Sequence, residues 1–295
     1  DLGGRRLRTS ELNVDRISAG TGGVLRVRDV DLQSSFLTVS AANAHRLQFN
    51  GTTTFHGDTT LNVSAGASLL IDGVMNGTIT KLVKINTGTL SFGNGENYAS
   101  VPFADLHVRG GIVETRGDAG ANSPIGAAKV VLSGGQWNLR NDGDGTQSVQ
   151  TFVVPNALVF GSDSGEPVVG PGTLNVDRLV TFGLGTSASN KNFLIGNLTI
   201  GGGLGAASAQ FNGGNGFTVV AENTSLLSGV SLSTGVGVTL RNVSDGGAGY
   251  NLERIAGNSL FAGDNTFSGG FFNRSGTLMF GVQEGGASLD EGNIT

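Results

Sequence analysis

Gly88-Thr89-Leu90-Ser91-Phe92-Gly93 returns as Gly172-Thr173-Leu174-Asn175-Val176, and again as Gly276-Thr277-Leu278-Met279-Phe280-Gly281. In the first two copies apolar and polar residues alternate, the period of a strand with one buried face, and in the third Leu278-Met279-Phe280 is apolar throughout. A looser echo runs Gly66-Ala67-Ser68-Leu69-Leu70-Ile71. The three copies start 84 and then 104 positions apart. Four and then five turns of about 21 residues accommodate those distances, so the repetition predicts a stacked coil of strands.

The rest of the chain follows the same grammar. Short runs such as Leu61-Asn62-Val63, Val130-Val131-Leu132, Leu198-Thr199-Ile200 and Val236-Gly237-Val238-Thr239-Leu240 are rich in strand-forming residues, and helical periodicity is nearly missing. Asn50-Gly51, Asp72-Gly73, Asn76-Gly77, Asn94-Gly95, Asn212-Gly213, Asn215-Gly216 and Asp245-Gly246 mark corners, because Gly, Asn and Asp tolerate positive φ. The same pairs serve hairpins, so a β-sandwich or jelly roll is the alternative to a coil. Phenylalanine supplies 16 of the aromatic residues against 2 Tyr and 1 Trp. It has no polar group to satisfy, which suits a dry, narrow interior.

Composition narrows the class. The 295 residues include 51 Gly, 5 Pro and no Cys. Collagen is excluded because the glycines keep no third-position rule, and disorder because 38% of residues are hydrophobic and the net charge is only −5. Without Cys there is neither a disulfide framework nor a thiolate metal site. The acidic balance argues against a nucleic-acid partner, which needs a basic stripe to displace counterions from phosphate. No run approaches the roughly 20 apolar residues of a membrane-spanning helix. The start at Asp1-Leu2-Gly3-Gly4, without Met or signal peptide, reads as a processed or excised segment.

The stretch Gly263-Asp264-Asn265-Thr266-Phe267-Ser268-Gly269-Gly270, followed by Ser275-Gly276-Thr277-Leu278-Met279-Phe280-Gly281, resembles the autotransporter-associated β-strand repeat. A degraded copy lies at Asn50-Gly51-Thr52-Thr53-Thr54-Phe55-His56-Gly57-Asp58-Thr59-Thr60, and Ser123-Pro124-Ile125-Gly126-Ala127-Ala128-Lys129-Val130-Val131-Leu132-Ser133-Gly134-Gly135 is similar to the repeat's continuation. The resemblance implies a right-handed parallel β-helix on a bacterial cell surface or in secreted material, as in autotransporter passengers and surface adhesins. No C-terminal membrane barrel accompanies it, so self-secretion is not part of the expectation.

Sites of chemistry are sparse. Gly201-Gly202-Gly203-Leu204-Gly205-Ala206, with Glu222 beyond it, has dinucleotide-loop spacing, but a strand and a turn follow where a helix is required. Gly246-Gly247-Ala248-Gly249-Tyr250-Asn251-Leu252 is similar to a calcium-binding nonapeptide with Asn in place of the acid. Asn141-Asp142-Gly143-Asp144-Gly145 and Asp163-Ser164-Gly165-Glu166 also offer oxygens to a hard cation. All these Asp and Asn residues equally serve as turn formers, so no cofactor is expected, and Ca²⁺ stays the one candidate. The histidines His45, His56 and His107 are scattered, and no Ser sits in a nucleophile elbow. Asn62-Val63-Ser64, Asn197-Leu198-Thr199 and Asn242-Val243-Ser244 match the glycosylation pattern at chance frequency.

Charge collects at the two ends. Arg5, Arg6 and Arg8 make the start basic, and Glu284, Asp290 and Glu291 make the last residues acidic. Soluble terminal rungs account for this, and so does head-to-tail self-association. The predicted molecule is one all-β domain over residues 1–295, a parallel β-helix capped by residues 1–20 and ending in a tail at 282–295. Its expected function is a non-enzymatic extracellular structural or adhesive module whose partners are its own copies or a cell-surface matrix. A carbohydrate-active β-helix enzyme is the alternative.

Overall fold

The computed structural model describes residues 5–7, 10–15, 22–33, 36–93, 101–117, 125–162, 167–181, 184–185, 187–203 and 207–281. These residues are all-β, arranged as a parallel β-solenoid in which each strand pairs with its counterpart one turn on. Two compact units are formed, residues 1–130 with 135–140, and residues 131–134 with 141–295.

In the first unit the chain visits three sheets in turn. One contains Arg5–Leu7, Val30–Leu32, Thr53–Phe55 and Met75–Gly77. A second contains Ser10–Val14, Phe36–Ala41, Thr59–Val63, Ile79–Ile85 and Phe103–Val108. A third contains Val24–Val27, Arg46–Phe49, Ser68–Ile71, Thr89–Phe92 and Ile112–Gly117. Parallel strands need long crossover connections, usually helical. Here the crossovers are the strands of the other sheets, which is why short strands and tight corners suffice.

Register turns the alternation into ladders. In the third sheet Leu47, Leu69 and Leu90 stack in line, with Phe49, Ile71 and Phe92 as a second line, all fully buried. Each such side chain contributes about 1.5–3 kcal/mol through burial. Thr59–Val63 shows the rule within a single strand, with Thr59, Leu61 and Val63 buried and the residues between them half-exposed. Residues 5–7 and 10–14, inside the segment read as a cap, already pair in register with Val30–Leu32 and Phe36–Ala41.

The second unit repeats the principle. Gln150–Val154 and Leu158–Gly161 pair with successive parts of Lys191–Gly201, and Thr218–Leu226, Gly237–Arg241, Asn258–Ala262 and Thr277–Phe280 follow. The companion sheet holds Gly172–Asp177, Ala207–Gly213, Val230–Thr234, Leu252–Ala256 and Phe271–Asn273. Its cores carry the expected phenylalanines: Phe193 and Phe217 stack at 5.9 Å, and Phe160 meets Phe211 at 5.1 Å. Among the described pairings, only Val180–Thr181 with Leu184–Gly185 is antiparallel, which removes the sandwich and jelly-roll alternative.

The regular 21-residue turn requires correction. Leu69 faces Leu90, 21 positions on, but Leu12 faces Val39 at 27, Leu260 faces Met279 at 19, and Leu158 faces Leu198 at 40. Corner loops absorb the surplus, since a loop's closure entropy grows only slowly with its length. The Gly-Thr-Leu phrase is therefore no rung marker. Its second copy lies in the strand Gly172–Asp177 and its third in Thr277–Phe280, on a different sheet of the same unit.

Candidate functional site

The outward side of the third sheet in the first unit carries a row of polar side chains. Strand alternation and register place Arg46, Ser68 and Thr89 in one outward row, and Arg26, Gln48, Leu70, the buried Ser91 and Glu114 in the next. Side chains bridge successive turns: Arg26 Nε donates to Gln48 Oε1 at 3.1 Å, and Gln48 Nε2 donates to Asp72 Oδ2 at 2.8 Å. A groove of about 380 Å³ runs along this face, lined by residues that include His45, Arg46, Ser68, Leu70, Thr89, Ser91, Glu114 and Arg116. Glu114 accepts from Arg116 Nε at 2.6 Å and lies 3.9 Å from Arg140 Nε, so its charge is balanced in place.

His45 closes one end of that face. Asn43 and Ala44 both have positive φ, 56° and 58°, and this corner turns the ring inward. Its Nδ1 accepts the Gly23 N–H at 2.8 Å, while Nε2 is buried without a partner. The other histidines are placed differently. His56 is exposed with Nε2 3.4 Å from Asp31 Oδ1, and His107 is buried with Nε2 3.9 Å from Asp105 Oδ2. The three rings remain dispersed.

The cation candidates of the second unit are taken by protein groups. Asp144 Oδ1 receives the Lys191 ammonium at 2.9 Å, and Oδ2 receives the Ser148 hydroxyl at 2.8 Å. The Lys191 ammonium, with the Thr146 and Ser148 donors, holds the Asp144 carboxyl well below the usual carboxylate range. Asp142 Oδ1 accepts the Leu179 N–H at 2.5 Å. Asp163-Ser164-Gly165-Glu166 lies outside the described residues. Among the described residues no three His, Asp or Glu side chains gather as a metal cluster.

The nonapeptide-like segment is built around an anion. Asp245 accepts the N–H groups of Gly247 at 2.9 Å, Gly249 at 2.9 Å, Tyr250 at 3.1 Å and, one turn on, Ser268 at 3.0 Å. Burial by itself would raise the carboxyl, but these donors and the Ser268 hydroxyl outweigh it and hold the pKa at about 2. Converging N–H groups suit an anion, so Asp245 serves this loop as an internal carboxylate cap.

The same contacts give the Gly263–Gly270 motif a physical meaning. Asn265 Oδ1 accepts the Val243 N–H at 3.1 Å, the Asp264 N–H donates to Asn242 Oδ1 at 3.0 Å, and Ser268 docks on Asp245. Asp264, Asn265 and Ser268 therefore tie their corner to the corner one turn earlier. The dinucleotide-like spacing also resolves: Gly201 ends the strand Lys191–Gly201, and Ala207–Gly213 that follows is again a strand.

Three fully buried cations among the described residues, Lys84, Arg254 and the Lys191 that holds Asp144, had no signal in the sequence. Lys84 stands in the inward ladder between Leu61 and Val108, fully buried, and its Nζ donates to the carbonyls of Ile85, Asn86 and Gly110 at 2.9, 2.7 and 3.0 Å. Burial lowers its pKa to about 8. Arg254 lies opposite Leu232 on an inward position, fully buried, with Nη1 donating to Asn273 Oδ1 at 2.8 Å while Nε and Nη2 have no partner. Strand period alone assigns such positions to apolar residues.

Of the residues proposed for self-association, Arg5 and Arg6 lie in a strand opposite Val30 and Asp31. Arg8, Glu284, Asp290 and Glu291 lie outside the described residues. Among the described residues no helix is long and apolar enough to cross a membrane. Comparison with family models, with curated proteins and with solved structures finds no match to this chain.

Proposed function

We propose that this chain is a non-enzymatic structural and adhesive β-solenoid module of a bacterial surface or secreted protein. The observation that carries this reading is the outward face of the third sheet, where Arg26, Gln48, Leu70, Ser91 and Glu114 recur one per turn in register. Strands about 4.8 Å apart present polar groups as a regular row, a geometry for many weak contacts along an extended partner. The charged groups beside it support binding over turnover, because Glu114 is held by arginines and Asp72 by Gln48.

The test is incubation of the purified chain with bacterial, plant and animal-matrix polysaccharides. Retention on an immobilised matrix with no release of new reducing ends supports the module, and release of cleaved product overturns it. Self-association belongs to the same reading and has a separate readout. Exchange of Arg5, Arg6 and Arg8 for Glu is expected to abolish concentration-dependent polymers in sedimentation, and polymers that persist unchanged exclude an electrostatic head-to-tail contact.

A further inference from the structure

We propose that the second unit pairs with a second copy of this chain through an outward apolar stripe, the copies related by a two-fold axis that lays the two stripes antiparallel. This rests on the self-association in the reading above and gives it a lateral surface, separate from the chain ends.

Register builds the stripe. Val153 faces Leu194, Leu194 faces Val220, and Thr239, Leu260 and Met279 continue the line over six strands of the second unit. These positions alternate with inward residues such as Phe193, Val219, Val238 and Phe261, so they stand on the outer side of the sheet. The ends are open, with Val153 73% and Met279 49% exposed. Leu194, Thr239 and Leu260 are half-buried, and Val220 is buried in mid-stripe. An outward apolar row with a polar rim marks a contact surface.

Two features select a second copy as the occupant. The first is the order of residues along the stripe. Val153, Leu194, Val220, Thr239, Leu260 and Met279 read nearly alike from either end: an exposed apolar residue, a leucine, then Val or the similarly shaped Thr. An isologous contact sets one patch against itself. With the stripes antiparallel, Leu194 meets the partner's Leu260, Val220 the partner's Thr239, and Val153 the partner's Met279.

The second is charge. Glu222 and Arg241 stand two residues beyond Val220 and Thr239 on the same strands, and Arg241 Nη1 donates to Glu222 Oε1 at 2.7 Å. An axis along the strands brings Glu222 over the partner's Arg241 and Arg241 over the partner's Glu222. Packed sheets keep their mean strand directions within about 30° of each other, as this axis requires. Asn192, Thr218 and Asn258 rim the other side without charge. Stripes laid parallel would set the ion pair against those uncharged side chains instead. A rim with no net charge also offers an anionic membrane or a nucleic acid no attraction. Six strands about 4.8 Å apart make the stripe about 24 Å long. With its rims it covers on the order of a few hundred Å², below the roughly 800 Å² per partner of a standard interface, so the dimer belongs to the weak, reversible class.

The experiment is sedimentation of the full chain in a concentration series reaching about 200 µM. A monomer–dimer equilibrium that survives exchange of Arg5, Arg6 and Arg8 for Glu is the expected result. Val153→Lys combined with Met279→Lys sets like charges face to face and should weaken the dimer about tenfold or more, with circular dichroism unchanged. Val153→Lys combined with Met279→Glu should restore it, because opposite charges then meet across the antiparallel pair. Val169→Lys, at a position 62% exposed and off the stripe, should leave it unchanged. A chain that stays monomeric, a monomer that instead co-sediments with phosphatidylcholine vesicles, a Lys–Glu combination as weak as the double lysine, or an equal loss in Val169→Lys overturns the proposal. The readings fail separately. Polymers that the Arg5, Arg6 and Arg8 exchange removes, with no dimer left behind, disprove the lateral surface alone, and a dimer that releases sugar from polysaccharide disproves the non-enzymatic reading alone.

Discussion

Trp137 donates its indole Nε1–H to the Thr115 hydroxyl at 2.9 Å, 22 positions back along the chain, and both residues are fully buried. This is the sole Trp of the protein, so its fluorescence reports on the interior of the first unit. Thr115→Val keeps the shape and removes the acceptor, leaving a buried donor unpaired at a cost of about 1–3 kcal/mol. Combined with Trp137→Phe in a double-mutant cycle, the pair should show a coupling of about 1 kcal/mol in urea unfolding. Strictly additive losses would mean that the hydrogen bond contributes nothing.

Asp245 should make the second unit acid-sensitive. Its folded pKa of about 2 lies below the ordinary 3.8, so its stabilisation is complete above about pH 4 and disappears as pH falls toward 2. Asp245→Ala, which strands the N–H groups of Gly247, Gly249, Tyr250 and Ser268, should cost on the order of 2–4 kcal/mol at neutral pH. In that variant the fall in stability between pH 4 and pH 2 should be shallower than in the parent, as measured by thermal unfolding across that range.

Lys84 acts at the other end of the pH scale. The unfolded chain holds this proton with a pKa near 10.5 and the folded chain with one of about 8, so stability contributed by this group rises as pH climbs from about 8 to about 10.5. Lys84→Met should flatten that rise in urea midpoints. It should also destabilise the protein by about 1–3 kcal/mol at pH 7, because three backbone carbonyls lose their donor. An unchanged pH profile would show that Lys84 does not titrate in this window.

Two glycines should respond very differently to alanine. A Cβ on Gly257, at φ 89°, would stand 1.6 Å from the Thr234 carbonyl oxygen, a backbone atom with nowhere to go. Gly257→Ala should cost more than about 4 kcal/mol or prevent folding. Gly246, at φ 63°, faces open space, and Gly246→Ala should cost only about 1 kcal/mol of backbone strain. Comparable losses from thermal melts of the two variants would refute the distinction between collision and conformational strain.

Much of the fold was legible in residues such as Thr59-Thr60-Leu61-Asn62-Val63, because a strand buried on one face must alternate and the alternation is written in side-chain type. Corners were legible in part. Asn215 and Gly216 both have positive φ, as do Gly77 and Gly246, whereas Gly51, Gly73 and Gly213 do not. The positive-φ residues Asn86, Asn190 and Asn242 stand in no Asn-Gly pair. The candidate site was legible only in fragments. Glu114, Arg116 and His45 carry no motif, and their meeting on one groove depends on the strands of four successive turns lying side by side.

Alternation and turn chemistry, both local properties, were enough for the sequence to determine a chain of short strands with a phenylalanine-rich interior, and it was the parallel pairing of those strands that decided for a solenoid over a sandwich. Tertiary structure alone decided which turn faces which. Partners lie anywhere from 19 to 41 positions apart, and loop length varies at little entropic cost, so sequence spacing does not set register. It also decided that Lys84 and Arg254 stand on inward ladders. The carbonyls that hold the Lys84 ammonium belong to the backbone, whose position no side-chain pattern records.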